Sequence, residues 1–531
     1  MDDADAQDVS PAQIPEQPRR DTLPLLLVLF PLAVALARTP LVVGMVFAAF
    51  CFLSWQFRCH KAFLLTLGIA FALSLLLFTG ATIHYDVDNY LGPQIRLFSL
   101  PFGVQPDGFY SEPHCRLPQG LAWYGAALFR LTGSIDLGQS AFFLFFVAAW
   151  RTLRVDLTRL QAALLLIAPS ALPSVFNLMP DGCVYLLLIL ALFALRRGDF
   201  WLPLTAAALA SVLKVSAWVP TALIALLLLW RFPRRFWQIG LVALATLLLV
   251  FPTLHLLYTG GLNTISSDFS SVANDDARTM GWFARILYVH VGHWTTSLHP
   301  HLGPHLLGVD GLSSDALGPI FRLVTWASLA ILVFCRKRLA GWWSTLALAW
   351  LSVLIIPTVY VGYARYVPLL WVAGMLPLVL RFPKVAILPT IALLGIPLAM
   401  LGWRLALSTE AVMVANHATA VQSNYWNVRE TFRHIPLTQE QQPLWSGSLL
   451  YSYSMPEGIF PPMPRRPYEG LRKTPMTVKA AGVREYALRE WLPWMLTHPH
   501  TYLLEIARFR WRNFVTLLRG SHDGLPPPAR Q

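Results

Sequence analysis

The heptapeptide His84-Tyr85-Asp86-Val87-Asp88-Asn89-Tyr90 follows directly on a long apolar stretch. Asp86 and Asp88 therefore stand at the edge of a nonpolar medium. A partly desolvated carboxyl group has a raised pKa and can act as a general base near neutral pH. Paired with a second acid, it also offers oxygen ligands to a divalent cation. The plainer alternative makes Asp88 a helix cap and Asp86 a solvated side chain. A third acid, Asp181, follows Met179-Pro180 at the start of another apolar run. The helix dipole favours an acid at that position, so a structural role competes with a chemical one.

Two cations interrupt otherwise apolar sequence. Lys214 lies in Leu213-Lys214-Val215, and Arg365 in Tyr363-Ala364-Arg365-Tyr366-Val367-Pro368. Ionisable groups so placed are costly, and they point to function. Both suit a lipid phosphate, Arg365 through bidentate hydrogen bonds; snorkelling to headgroups is the alternative. Arg278 and Arg285 are further candidates in a separate polar stretch. His290, His293, His299, His301 and His305 share that stretch, but their spacing matches no zinc motif. A hydrogen-bonded interfacial loop accounts for them more simply.

The elements that must position these residues are apolar helices. Hydrophobic residues make up 56% of the 531-residue chain and charged residues 13%, against roughly 25% charged in soluble domains. About thirteen runs approach the length of a bilayer crossing, about 20 residues. They lie near 23–37, 40–57, 62–80, 135–150, 160–173, 181–195, 200–213, 216–230, 236–256, 319–335, 340–358, 366–380 and 385–405. The expected class is an all-α polytopic membrane protein. Arg38-Thr39-Pro40 breaks the first apolar stretch, because proline disfavours a continuing helix, and a tight hairpin is expected there.

Lysine and arginine bias in short loops sets orientation. With the N terminus cytoplasmic, the inner loops hold Arg58 and Lys61; Arg151, Arg154 and Arg159; Arg196 and Arg197; Arg231, Arg234 and Arg235; Arg336, Lys337 and Arg338; and Arg381 and Lys384. The short outer turns hold only Arg38, Lys214 and Arg365. Residues 1–22 form a disordered cytoplasmic tail and 23–405 the membrane domain, with outer loops at 81–134 and 257–318. Residues 406–531 form an extracytoplasmic region. Within the first outer loop, Leu121–Leu131 reads as a short apolar helix lying along the membrane. Within the last region, 502–518 has helical period, with Glu505, Arg508, Arg512, Thr516 and Arg519 on one face. That helix either lies on the membrane surface or packs on its own region's core.

The net charge of +13 reads as basic cytoplasmic loops and not as nucleic-acid binding. Five scattered cysteines form no CxxC pair or disulfide framework. There is no P-loop and no GxGxxG after a strand, so the energy for any group transfer must reside in a substrate already at the outer face. That requirement points to a lipid-phosphate-linked donor.

Over residues 62–405 the chain resembles the GT-C superfamily of membrane glycosyltransferases. The resemblance is carried by Tyr85-Asp86-Val87-Asp88-Asn89-Tyr90, by Pro118-Gln119-Gly120 leading into Thr132-Gly133-Ser134, and by Pro180-Asp181 opening a helix that ends at Leu195-Arg196-Arg197-Gly198. Leu213-Lys214 and Arg365-Tyr366 with Pro368 complete it. The resemblance implies inverting transfer from a polyprenyl-phosphate-linked sugar to an acceptor hydroxyl on an envelope glycan, glycolipid or protein. It implies that Asp86 or Asp88 is the general base with Asp181 assisting, and that Lys214 and Arg365 hold the donor phosphate; Arg278 is a further candidate for the phosphate from its place in the second outer loop. A divalent cation is compatible with the acids. Asp86-Val87-Asp88 departs from the adjacent acids of many relatives, which leaves open which carboxylate is catalytic. Two other readings compete. One is an O-antigen polymerase or ligase relying on outer-loop arginine and histidine; the other is a lipid or solute transporter, although no internal repeat of the transporter kind is visible.

Overall fold

The computed structural model describes residues 21–37, 39–77, 120–132, 136–168, 171, 173–176, 178–250, 323–359 and 367–393. Every regular element among them is helical. In chain order these are α1 (Leu23–Leu36), α2 (Pro40–Gln56), α3 (His60–Leu77), α4 (Gly120–Thr132), α5 (Ser140–Asp156), α6 (Arg159–Leu166), α7 (Pro173–Phe176) and α8 (Pro180–Arg196). There follow α9 (Trp201–Leu213), α10 (Trp218–Arg231), α11 (Phe236–Val250), α12 (Leu323–Phe334), α13 (Trp343–Val359), α14 (Leu370–Arg381) and α15 (Pro383–Leu393). The helical class expected from the sequence is thus observed. Full-length spans are not: among the described residues no single helix is long and apolar enough to cross a membrane, although α10 and α11 pass together as a pair bent by 118°.

The local chemistry explains the element boundaries. Thr39 caps α2 by accepting from the Val42 amide, and Pro40 occupies the first turn, where its missing N–H costs nothing. The hairpin follows, and it brings Phe30, Phe50 and Phe63 of α1, α2 and α3 into edge and stacked contact at 5.2–5.9 Å. Thr158 and Gln161 form a capping box at the start of α6. The run expected over 160–173 is not one continuous helix. α6 ends after eight residues, with Ile167 and Ala168 between it and Pro169, and a proline disfavours helix in the residue before it.

α8 is the axis of the bundle. Every residue from Asp181 to Leu195 is buried, with α5 and α9 packed along it. α1 lies against α4, α5 and α9, while α14 lies against α6 and α13. α4 forms where a short apolar helix was expected, and residues 120–129 are all buried among its neighbours. Large apolar side chains cover much of the periphery; Leu41, Trp230, Phe334 and Leu388 are all more than 70% exposed.

The basic helix ends meet at one end of the bundle. Arg151 pairs with Asp21 at 2.7 Å, and Cys59 in the α2–α3 turn is bonded to Thr22. Asp156, at the end of α5, pairs with Arg196 at 2.5 Å and lies 4.0 Å from Arg197. Arg196 also donates to the Gly341 carbonyl at 3.1 Å and stacks over Trp342 at 3.8 Å. Arg231 donates to the Leu195 carbonyl at 2.7 Å, and Gln161 reaches the Val379 carbonyl at 3.2 Å. The loops grouped by charge in the sequence are therefore neighbours in space. α3, α11, α13 and α15 all run away from this end, and α12 and α14 run back towards it. The last described residues of α3, α11, α13 and α15 therefore lie towards the opposite end, and so does α4, whose Gly120 and Gly125 pack on Val212 and Gly138.

Asp156 is shared by two arginines and largely buried. Asp156→Ala should cost about 3 kcal/mol by stranding those cations, measured as a lowered Tm of the detergent-solubilised protein. Asp199→Ala removes an exposed, solvent-screened partner of Arg197 and should change Tm far less.

Candidate functional site

Among the described residues at the end of the bundle away from the arginines, an ion pair joins two of the residues singled out by sequence. Asp181 enters through a proline-initiated helix: Met179 is the N-cap, extended at φ −121° and ψ 125°, and Pro180 opens the first turn. Asp181 follows it and so faces the positive end of the α8 dipole. The first turn is also tied down from outside. The Ser174 hydroxyl donates to the Met179 carbonyl at 2.8 Å and accepts from the Gly182 amide at 3.0 Å. This approach requires glycine at 182, because a Cβ there would stand 2.5 Å from the Ser174 oxygen.

Lys214 enters through the break between α9 and α10. It is the extended residue that ends α9 (φ −160°, ψ 141°), and a short 3-10 turn over Val215–Ala217 follows. The break is braced on both sides. Trp218 Nε1 donates to the Ser211 carbonyl at 3.1 Å, Ser211 and Thr221 share a hydroxyl contact at 2.8 Å, and Thr221 donates back to the Ala207 carbonyl at 2.8 Å.

These two frames place the Lys214 ammonium 2.5 Å from Asp181 Oδ1. The Asp181 side chain is 4% exposed and that of Lys214 15%. Asp181 Oδ2 is buried and has no hydrogen-bond partner among the described residues. A buried polar atom without a partner costs free energy, so this oxygen is a poised acceptor. It can take a hydrogen bond from a hydroxyl, or a share of a cation. Lys214 keeps a positive charge within reach of the same space, although part of its field is spent on Asp181.

The start of α4 lies beside this pair. Gly120 packs so closely on α9 that a Cβ would meet the Val212 carbonyl oxygen at 2.7 Å, two residues before Lys214. Asp86, Asp88, Arg278 and Arg365 themselves lie outside the described residues, as do the histidines of 290–305 and the helix expected over 502–518.

Two polar residues near this end were not singled out from sequence. Ser174 is the brace described above. Gln139 donates to the Ser174 carbonyl at 3.3 Å and also to that of Val175, while its own Oε1 is buried without a partner. The sequence signal was available: Pro169 and Pro173 announce broken backbone, and free carbonyls inside an apolar bundle demand side-chain donors. No group of three or more metal-ligating side chains occurs among the described residues.

No protein-family model matches this chain, and comparison with curated proteins and with solved structures gave no match. The site is therefore interpreted on its own chemistry.

Removing Lys214 while keeping Asp181 leaves a buried carboxylate unpaired. Lys214→Met should lower stability by about 3–5 kcal/mol. The double variant Asp181→Leu/Lys214→Met should recover much of that loss, because neither charge is then stranded. Unfolding in detergent of the wild type, of Asp181→Leu, of Lys214→Met and of the double variant measures the coupling.

Proposed function

We propose that this chain is a polytopic membrane glycosyltransferase of the GT-C type, working at the bundle end that holds Asp181 and Lys214. The observation that carries the reading is convergence. The buried Asp181–Lys214 pair, with one carboxylate oxygen open, shares its end of the bundle with Gly120 and with the far ends of α3, α11 and α13, the helices that precede the stretches bearing Asp86 and Asp88, Arg278 and Arg365. The apolar periphery supports a lipid environment, since exposed apolar surface on this scale marks contact with membrane or partner. The opposite, arginine-rich end fits the cytoplasmic face under the positive-inside rule. The site then opens to the outside of the plasma membrane, with residues 406–531 on the same side.

In the proposed reaction, Asp86 or Asp88 takes the proton of an acceptor hydroxyl. The freed oxygen attacks the anomeric carbon of a sugar carried on polyprenyl phosphate. The bond from that carbon to the phosphate oxygen breaks with inversion, and polyprenyl phosphate leaves with the electron pair. Arg365, Arg278 and Lys214 offset the charge that builds on the phosphate, which is commonly a large contribution to rate. Asp181 orients the acceptor through its open oxygen and holds Lys214 in place. A divalent cation shared with the acids is compatible with this arrangement. The prenyl chain stays in lipid while the sugar meets the acids. Transport without chemistry has less support, because the ionisable side chains of the described helices lie near helix ends and not at mid-depth.

The test is mass spectrometry of envelope glycans from cells with and without the protein, repeated for Asp86→Asn, Asp88→Asn and Asp181→Asn. A sugar should disappear on deletion. At least one of the two loop variants should lose about 100-fold or more in transfer, the usual contribution of a general base. Full transfer by all three, with loss on replacing Arg278 or His293, would shift the assignment to a polymerase or ligase on lipid-linked glycans.

A further inference from the structure

At the arginine-rich end, between α8, α10 and α13, the bundle contains a cavity of about 370 Å³. It lies at the far end of α8 from Asp181, about 22 Å away at 1.5 Å per residue, so it is separate from the site above. Its polar lining comes from Arg196, Arg231, Ser344 and Thr345. Its apolar lining includes Leu227 and Trp230, and the Trp230 side chain is 81% exposed on the bundle surface. Polar groups thus meet apolar ones in a single opening on the flank.

The arginines are held in place yet not used up. Arg196 is fixed by Asp156 and the Gly341 carbonyl through Nη1 and Nε, which leaves Nη2 without a hydrogen-bond partner among the described residues. Arg231 uses Nη1 on the Leu195 carbonyl, so its Nε and Nη2 are open in the same sense. Gly198 makes room for Arg231. It adopts φ +84°, and a Cβ there would stand 2.8 Å from Arg231 Nη2. The charged residues that line the cavity are Arg196 and Arg231, with Asp156 paired to Arg196, so the local balance is cationic. Two neighbouring guanidinium groups with open N–H edges and two hydroxyls match a phosphate diester. The apolar flank beside Trp230 matches an acyl chain.

We propose that this cavity binds an anionic phospholipid of the inner leaflet, headgroup on Arg196 and Arg231 and acyl chain passing Leu227 and Trp230. Basic pockets between membrane helices on the cytoplasmic side suit such headgroups. The inference rests on the membrane reading above but not on the glycosyltransferase assignment.

The experiment is thermal unfolding of the delipidated full-length protein in neutral detergent, titrated with dioleoyl phosphatidylglycerol, dioleoyl phosphatidylcholine or inorganic phosphate. Phosphatidylglycerol should raise Tm, and the other two should not. Arg231→Gln should weaken the apparent affinity for phosphatidylglycerol about tenfold or more, as loss of a hydrogen bond from a charged group implies. Lys61→Gln, at the same end but on α3, should leave it unchanged. If Arg231→Gln does not fold, Leu227→Trp, which fills the cavity from its apolar side, replaces it and should abolish the shift. An equal shift with phosphatidylcholine, or an unchanged titration in the cavity variant, overturns the proposal. A shift reproduced by inorganic phosphate alone assigns the site to a soluble anion and overturns the lipid. Recovery of the chain in the aqueous fraction after alkaline extraction of membranes would instead remove the membrane reading on which the inference stands.

Discussion

The bundle depends on one helix that has no contact with solvent between its ends. From Asp181 to Leu195, α8 buries every side chain, and its backbone groups are satisfied internally except in the terminal turns. Its polarity is therefore confined to two places about 22 Å apart. At one, Asp181 meets Lys214; at the other, Arg196 meets Asp156 and Gly341. A rod packed on all sides fixes the separation and the relative rotation of those two polar ends, and the neighbouring helices take their register from it.

The two ends are built on different economies of charge. The arginine-rich end is a mesh in which Asp156 is shared, Arg196 makes three kinds of contact, and carbonyls at helix ends accept from side chains. Such redundancy spreads the cost of losing any one bond. The other end holds the buried Asp181–Lys214 pair, and a buried pair is expensive to assemble from water. Keeping Asp181 and Lys214 there, with an oxygen left over, is poor design for stability alone. It is intelligible as a binding arrangement whose remaining bonds are completed by a ligand.

The sequence made the helix boundaries legible wherever caps were written in it: Thr39-Pro40, Thr158 with Gln161, and Pro180 all mark starts that the coordinates share. It also grouped the basic ends correctly, because charge bias reports which loops share an environment even when it says nothing of contacts. Asp181 and Lys214 were each conspicuous alone. Their union was not, since 33 residues separate them and it arises from α8 and α9 running antiparallel with Lys214 in a backbone break. α4 was legible as a short helix, and its burial has a physical reason: Gly120–Phe129 is apolar on every side but for tips of aromatic side chains, and a helix apolar all round belongs inside. Its two glycine contacts, Gly120 on Val212 and Gly125 on Gly138, are close approaches that no periodicity reports.

The interrupted crossing at α6 has a consequence for synthesis. Its last turn leaves carbonyls that no helix continues to satisfy. Leu165 is answered by the Tyr185 hydroxyl, but Leu164 is answered by Trp371 Nε1 at 3.2 Å, and Gln161 at the other end waits for Val379. More than 200 residues of chain separate those partners. A nascent chain emerging N-terminal first must hold this segment incompletely bonded until α14 has been made. Early segments are thus provisional, and the assembly closes only when its penultimate described helix arrives.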